Sequence, residues 1–155
     1  MERIAVSVLY HEGQFLVGQR GADDFLAGLR EFPGGKIKPE ETPSEAVARE
    51  CLEETGLKII VLDLCGEETH RYDSRPANQI GKSEIGKPKI GVPPPRDVHL
   101  LFFACRALDA RAPVKAPFAW VAADDLAKLE FPAANDRLLE QLAAADFIEA
   151  FWGTP

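Results

Sequence analysis

Glu50, Glu53 and Glu54 stand at i, i+3 and i+4, so a helix through them carries all three carboxylates on one face. Like charges at that spacing destabilise a helix by about 0.2–0.5 kcal/mol per pair. A cation that neutralises them removes the penalty, and an all-oxygen donor set suits Mg²⁺ or Mn²⁺ rather than zinc. Glu41, earlier in the chain, offers a fourth carboxylate or a brace for the turn. Gly34 and Gly35 allow close backbone approach, so a carbonyl can join the donors. The plainer reading of the three glutamates alone is a solvated acidic face with Arg49 as its partner. The Gly-Gly loop before them and Gly56 after them weigh against it.

The elements that must position these groups follow from local chemistry. Thr42, Pro43 and Glu45 read as N-cap, N1 and N3 of a helix over Thr42–Thr55, a capping box with proline where proline is tolerated. Gly56 then stands where a left-handed terminator belongs. Val47 and Cys51, with Ala48 and Leu52, make a narrow apolar stripe, and Glu45 to Arg49 is a favourable i,i+4 pair. Ile4–Tyr10 and Phe15–Arg20 read as a hairpin turned at His11–Gly13. Gly21–Arg30 reads as a loop, and Phe32-Pro33-Gly34-Gly35 as irregular chain. Further strands are predicted at Ile59–Leu64, Glu67–Tyr72, His99–Arg106 and Phe118–Val121. Leu126–Ala134 is irregular around Pro132. One amphipathic helix is predicted from Ala134 to about Ala150, with Leu138, Leu139, Leu142 and Phe147 inward. Asp73–Asp97 is a Pro-rich insertion loop with a brief echo, Ile80-Gly81-Lys82, Ile85-Gly86-Lys87 and Ile90-Gly91-Val92, too short for a solenoid. The class is α/β: a mixed sheet with at least two helices packed on it.

A chain of 155 residues suits one domain, spanning 1–155. Eighteen basic against 25 acidic residues give a net charge of −7. That balance argues against stable nucleic-acid binding. An anionic small molecule remains possible where a bound cation inverts the local field. No apolar run approaches the roughly 18 residues of a membrane span. Met1–Arg3 leads straight into a strand, with no leader-like pattern. Cys51, Cys65 and Cys105 fit neither a disulfide framework nor a zinc site, so a cytoplasmic protein is expected. Monomer and homodimer both stay open.

The stretch from Gly35 to Leu57 resembles the Nudix box, G-x5-E-x7-R-E-U-x-E-E-x-G-U, where U is a bulky aliphatic. Gly35, Glu41, Arg49, Glu50, Glu53, Glu54, Gly56 and Leu57 fall on the pattern. Only Cys51 departs, at an aliphatic position that a small hydrophobe can fill. The resemblance implies a Nudix fold: an α/β/α sandwich with a mixed β-sheet, the box forming loop–helix–loop. It implies Mg²⁺-dependent hydrolysis of a nucleoside diphosphate linked to another moiety, with Mn²⁺ a possible substitute. Glu50, Glu53 and Glu54 with the Gly34 carbonyl would hold metal, Arg49 would orient the glutamates, and Glu50 would take the proton from water.

Outside the box, Val17–Arg20 with Ala22-Asp23, then Leu29–Lys36, and Phe131-Pro132-Ala133-Ala134-Asn135 are similar to the MutT-like oxidised-nucleotide pyrophosphohydrolases. This implies that Asn135 reads the base, Arg20 contacts the nucleotide, Phe32 lines the base pocket and Lys36 sits near the phosphates. Each has a plainer reading: Asn135 as a helix cap, Arg20 as a strand-end surface residue, Phe32 as core. Two departures stand out. That group often carries a glutamate on the loop before the Trp-containing strand, and Ala116–Trp120 has none. The 73–97 insertion is the other; its Lys82, Lys87, Lys89 and Arg96 are either solvated or in contact with phosphates or a partner subunit. The expected substrate is an oxidised purine triphosphate such as 8-oxo-dGTP, cleaved to monophosphate and pyrophosphate, which serves nucleotide-pool sanitation. The alternatives are ADP-ribose, a dinucleoside polyphosphate or an RNA cap as substrate, or a non-catalytic nucleotide-sensing domain.

Overall fold

A computed structural model describes residues 1–22, 26–72 and 95–153. Strand β1 (Glu2–His11) turns at Glu12-Gly13, both at positive φ, into β2 (Gln14–Gln19). Two left-handed turn residues match the twist of the flanking strands, which makes this two-residue hairpin connection favourable. Two short strands follow, β3 (Arg30–Glu31) on β2 and β4 (Gly34–Lys36) on β1. Helix α1 spans Pro43–Thr55. Next come β5 (Ile59–Tyr72), β6 (Arg96–Ala107), β7 (Ala119–Ala122), α2 (Asp136–Leu142) and α3 (Ala145–Trp152).

The sheet order is β3-β2-β1-β6-β5, with β4 also on β1 and β7 also on β2. β1 and β6 run parallel while the other pairings are antiparallel among the described residues, so the sheet is mixed. Alternation along β1 and β6 feeds two cores. Ala5, Leu9, Leu101, Phe103 and Cys105 meet Ala46, Val47 and Cys51 of α1 on one face. Val6, Val8, Val98, Leu100 and Phe102 meet Leu138, Leu142 and Trp152 on the other. The Trp152 indole N–H donates to the Cys105 carbonyl at 3.0 Å, tying α3 to the sheet. The result is the expected three-layer α/β/α sandwich.

Helix α1 starts and stops as its residues dictate. The Glu45 amide donates to Thr42 Oγ1 at 3.1 Å, and Glu45 Oε1 accepts from the Thr42 amide at 2.9 Å. Gly56, at φ 82°, returns its N–H to the Leu52 carbonyl. The buried stripe is Ala46, Val47, Cys51 and Thr55; Leu52 is 43% exposed and Ala48 only half-buried, which corrects the expected pattern. Cys51, Cys65 and Cys105 are buried free thiols, and burial raises the thiol pKa of each.

Four further expectations need correction. Gly34-Gly35 is not irregular: the pair forms strand β4, threaded between β1 and α1. The two strands expected between Ile59 and Tyr72 are one, with register shifts at Val61/Asp63 and Leu64/Gly66 that absorb the sequence break as bulges. The single C-terminal helix is two, because Ala144 adopts extended φ and ψ and turns α3 so that Trp152 packs on Tyr10 and Phe15. Strand β6 begins at Arg96 rather than near His99, which takes Arg96 and Asp97 out of the insertion. Residues 73–94 of the insertion, with Lys82, Lys87, Lys89 and the echo, lie outside the described residues, as does Asp23.

Candidate active site

Arg49 organises the acidic face of α1. Its Nε and Nη2 donate to the two oxygens of Glu41 at 2.6 and 2.8 Å, a bidentate pair. Nη1 donates to Glu50 Oε1 at 2.9 Å and reaches Glu53 Oε2 at 3.4 Å, while Nη2 also meets the Lys36 carbonyl at 3.1 Å. The Arg49 guanidinium, with the Lys38 amide, holds the Glu41 carboxyl down at about 2. Glu41 is therefore a brace: it fixes Arg49, which fixes Glu50. The expected Glu45–Arg49 pair does not form, because Glu45 is spent on the capping box and Arg49 on Glu41.

Glu50 lies against Gly35 so closely that a Cβ there would stand 2.3 Å from its carboxyl carbon. Glu54 accepts the Gly34 amide at 2.9 Å. Burial pushes the Glu54 carboxyl up to about 7; the Gly34 N–H pulls the other way, and the charges of Glu31 and Glu50 raise it further. Glu53 is apart, 58% exposed and turned toward Arg49. Among the described residues no three acidic, imidazole or thiol groups converge into a ready-made metal cage. The donor chemistry still fits a hard divalent cation: an all-oxygen set, a glycine cradle under one carboxylate, and a half-buried carboxylate raised by burial and then by its acidic neighbours, the condition a cation relieves.

A second wall stands on the opposite face of the sheet. The Arg30 amide donates to the Glu130 carbonyl at 2.7 Å and brings β3 to the segment before α2. There Phe32 stacks on Phe131, ring centroids 5.0 Å apart. Phe32 is buried, so it is core and wall at once. Asn135 occupies the N-cap position of α2 but makes no capping hydrogen bond; its Nδ2 donates to the Pro132 carbonyl at 3.2 Å. Tyr72 packs against the same cluster, with the Arg96 guanidinium 5.8 Å from its ring centroid. Lys36 Nζ pairs with Glu2 at 2.9 Å, on the side of its cross-strand neighbour Ile4, and Arg96 meets the other Glu2 oxygen at 3.2 Å.

Arg20 lies just past β2, a quarter exposed, with Nε 3.5 Å from Glu31. Both line a cavity of about 520 Å³ with Glu54, Pro117 and Phe118. The loop before β7 carries no carboxylate into it. It brings Phe118 over Gly18, and Lys115 Nζ donates to the Glu53 carbonyl at 3.3 Å. Glu31 is the acidic neighbour that sequence reasoning overlooked. The available signal was its place beside Phe32, one strand position off the aromatic wall.

The sequence model of the NUDIX domain family matches residues 1–142, and the chain belongs to that family. It is 38% identical over 61 residues to a CTP pyrophosphohydrolase of Escherichia coli K12, covering 39% of this chain and 45% of that one. It is 45% identical over 56 residues to the 8-oxo-dGTP diphosphatase of the same organism, covering 36% and 43%. The chain thus matches less than half the length of these two curated relatives. In structure it is similar to the MutT protein of Methanosarcina mazei Go1, with a TM-score of 0.67 at 23% identity over 91% of both chains. That likeness is one of fold.

Proposed function

We propose that this chain is a Nudix pyrophosphohydrolase of the MutT type. It would cleave an oxidised purine nucleoside triphosphate, such as 8-oxo-dGTP, to the monophosphate and pyrophosphate. The observation that carries the reading is the segment Glu31–Gly35. It sends Phe32 into the aromatic wall beside Asn135 and, two residues on, lays Gly34 and Gly35 against Glu54 and Glu50. One short stretch of chain therefore connects a place for a flat base to a place for its phosphates.

Nudix hydrolases generally use divalent metal ions, and Glu50, Glu53, Glu54 and the Gly34 carbonyl are the groups that would hold Mg²⁺ or Mn²⁺ here. When bound, such an ion neutralises phosphate charge and lowers the pKa of coordinated water. The residues supply the rest. Arg49, clamped by Glu41, fixes the Glu50 carboxylate, which accepts the proton from attacking water. Phe131, half-buried and backed by the buried ring of Phe32, offers an apolar face for stacking. Asn135, with Nδ2 directed at the Pro132 carbonyl, presents Oδ1 as an acceptor. Guanine carries an acceptor at N7, whereas its 8-oxo form carries an N–H there, so an amide oxygen favours the oxidised base. Arg20, at the cavity shared with Glu54, meets the phosphate next to the sugar.

The test is formation of the nucleoside monophosphate with Mg²⁺ across 8-oxo-dGTP, dGTP, CTP, ADP-ribose and a dinucleoside polyphosphate, with pyrophosphate as the expected second product from the triphosphates. The expected result is the highest kcat/KM for 8-oxo-dGTP, with Asn135→Ala reducing its preference over dGTP by about 10–100-fold. Preference for CTP, ADP-ribose or the dinucleoside overturns the substrate. No turnover with either Mg²⁺ or Mn²⁺ overturns the enzyme.

A further inference from the structure

We propose that Glu31 is a positioning residue for nucleotide binding, holding Arg20 at the junction between the aromatic wall and the glutamate helix so that it meets the substrate's first phosphate. This rests on the nucleotide reading above.

The ion pair is built on a fixed backbone. Glu31 lies opposite Gly18 and Arg30 opposite Gln19 in the β2–β3 ladder. The Arg20 amide donates to the Leu29 carbonyl at 2.9 Å, and the Arg20 carbonyl accepts from the Gly28 amide at 3.3 Å. Both carriers are therefore placed before their side chains meet. Each side chain is only a quarter exposed, so the pair is less screened than a surface ion pair.

The location says what the pair is for. The charge of Arg20 is felt by Tyr72 on the aromatic side and by Glu54 on the acidic side. A cation standing between a base site and a phosphate site suits the phosphate that joins them. Glu31 therefore stands between two charges, pairing with Arg20 and opposing Glu54. Glu31 meets the guanidinium at Nε, 3.5 Å away, and so restricts where the head of Arg20 can lie, which a flexible arginine does not provide.

The experiment is a double-mutant cycle on binding, without metal. Titrations of 8-oxo-dGMP and of the phosphate-free nucleoside are run in EDTA on wild type, Glu31→Gln, Arg20→Ala and the double variant. Salt is kept at roughly 0.5 M, so that simple repulsion between Glu31 and the phosphate is screened. Thermal melts accompany each variant. The expected result is that Glu31→Gln weakens the monophosphate by about five- to tenfold and leaves the nucleoside unchanged. In the Arg20→Ala background the same substitution has no effect, and Glu31→Asp recovers part of the loss. Unchanged or tighter monophosphate binding in Glu31→Gln overturns the proposal, as does a loss that is additive with Arg20→Ala or shared by the nucleoside. Failure of the wild type to bind either compound overturns it together with the nucleotide reading; a wild type that binds beside an unaffected Glu31→Gln overturns the positioning role alone.

Discussion

Gly35→Ala isolates the contact on which the catalytic geometry depends. The added Cβ would sit 2.3 Å from Glu50 Cδ and 2.5 and 2.6 Å from its oxygens. Ordinary carbon contacts need about 3.5–4.0 Å. The obstacle is the far end of a flexible side chain, so Glu50 retreats by about 1 Å and the backbone stays in place. That retreat stretches the 2.9 Å bond from Arg49 Nη1 beyond hydrogen-bonding range. A misplacement of that size at a reacting group costs about 100-fold in rate. Gly34→Ala is the contrast. Its Cβ would stand 2.5 Å from the Ala5 carbonyl oxygen, a backbone atom of the central strand that cannot swing away. Overpacking of that kind costs about 1–3 kcal/mol, which for a domain of this size lowers Tm by roughly 3–10 °C. Steady-state kinetics and thermal melts on the two variants separate the cases. Gly35→Ala is expected to lose about two orders of magnitude in kcat with Tm nearly unchanged. If Gly35→Ala keeps a third or more of wild-type kcat, Glu50 does not act from the cradle and the mechanism above is wrong.

Three other outcomes follow from the same contacts. Glu54 is raised to about 7 from an ordinary value of 4.5, so between those pH values the metal-free fold binds a proton that the unfolded chain releases. Metal-free stability should therefore fall as pH rises from 4.5 through 7. Melts in EDTA should show a fall that Glu54→Gln abolishes, and calorimetry should find Mn²⁺ binding to wild type releasing a proton near pH 6. Arg49→Lys provides three donors from one point where Arg49 places donors on Glu41, Glu50, Glu53 and the Lys36 carbonyl; kcat should drop about 10–100-fold while 8-oxo-dGMP affinity in EDTA is unchanged. Thr42→Ala removes one half of the capping box and should cost about 1 kcal/mol, read as a Tm lower by about 2–4 °C with kcat unaffected.

What was legible in the sequence is what is encoded locally. The capping box of α1 and its left-handed Gly56 are each decided by residues within four positions of one another, and each forms as expected. What was not legible depends on partners far along the chain. Gly34-Gly35 reads as a breaker because its neighbours in sequence say nothing of Ala5 and Glu50, between which only glycine fits. The break at Ala144 runs against helix propensity, and it is set by where α3 must lie for Trp152 to reach Cys105. Arg49 offered two partners at helical spacing, Glu45 and Glu53, but its bidentate partner is Glu41, on a turn whose shape is known only once folded.

The same distinction explains the site. Box glutamates on one helix can be read by period, but the groups that give them different roles arrive from β3 and β4. Glu50 and Glu54 are four residues apart on one helix, yet one is clamped by a guanidinium over a glycine while the other is half-buried against a backbone amide and a neighbouring carboxylate. Two like side chains in unlike surroundings can divide the labour of holding a cation and accepting a proton. The divider is the short run from Glu31 to Gly35, which touches both glutamates and the aromatic wall. Substitutions that leave every carboxylate in place but alter this run should therefore shift rate and substrate preference together, whereas changes on the exposed side of α1 should move neither.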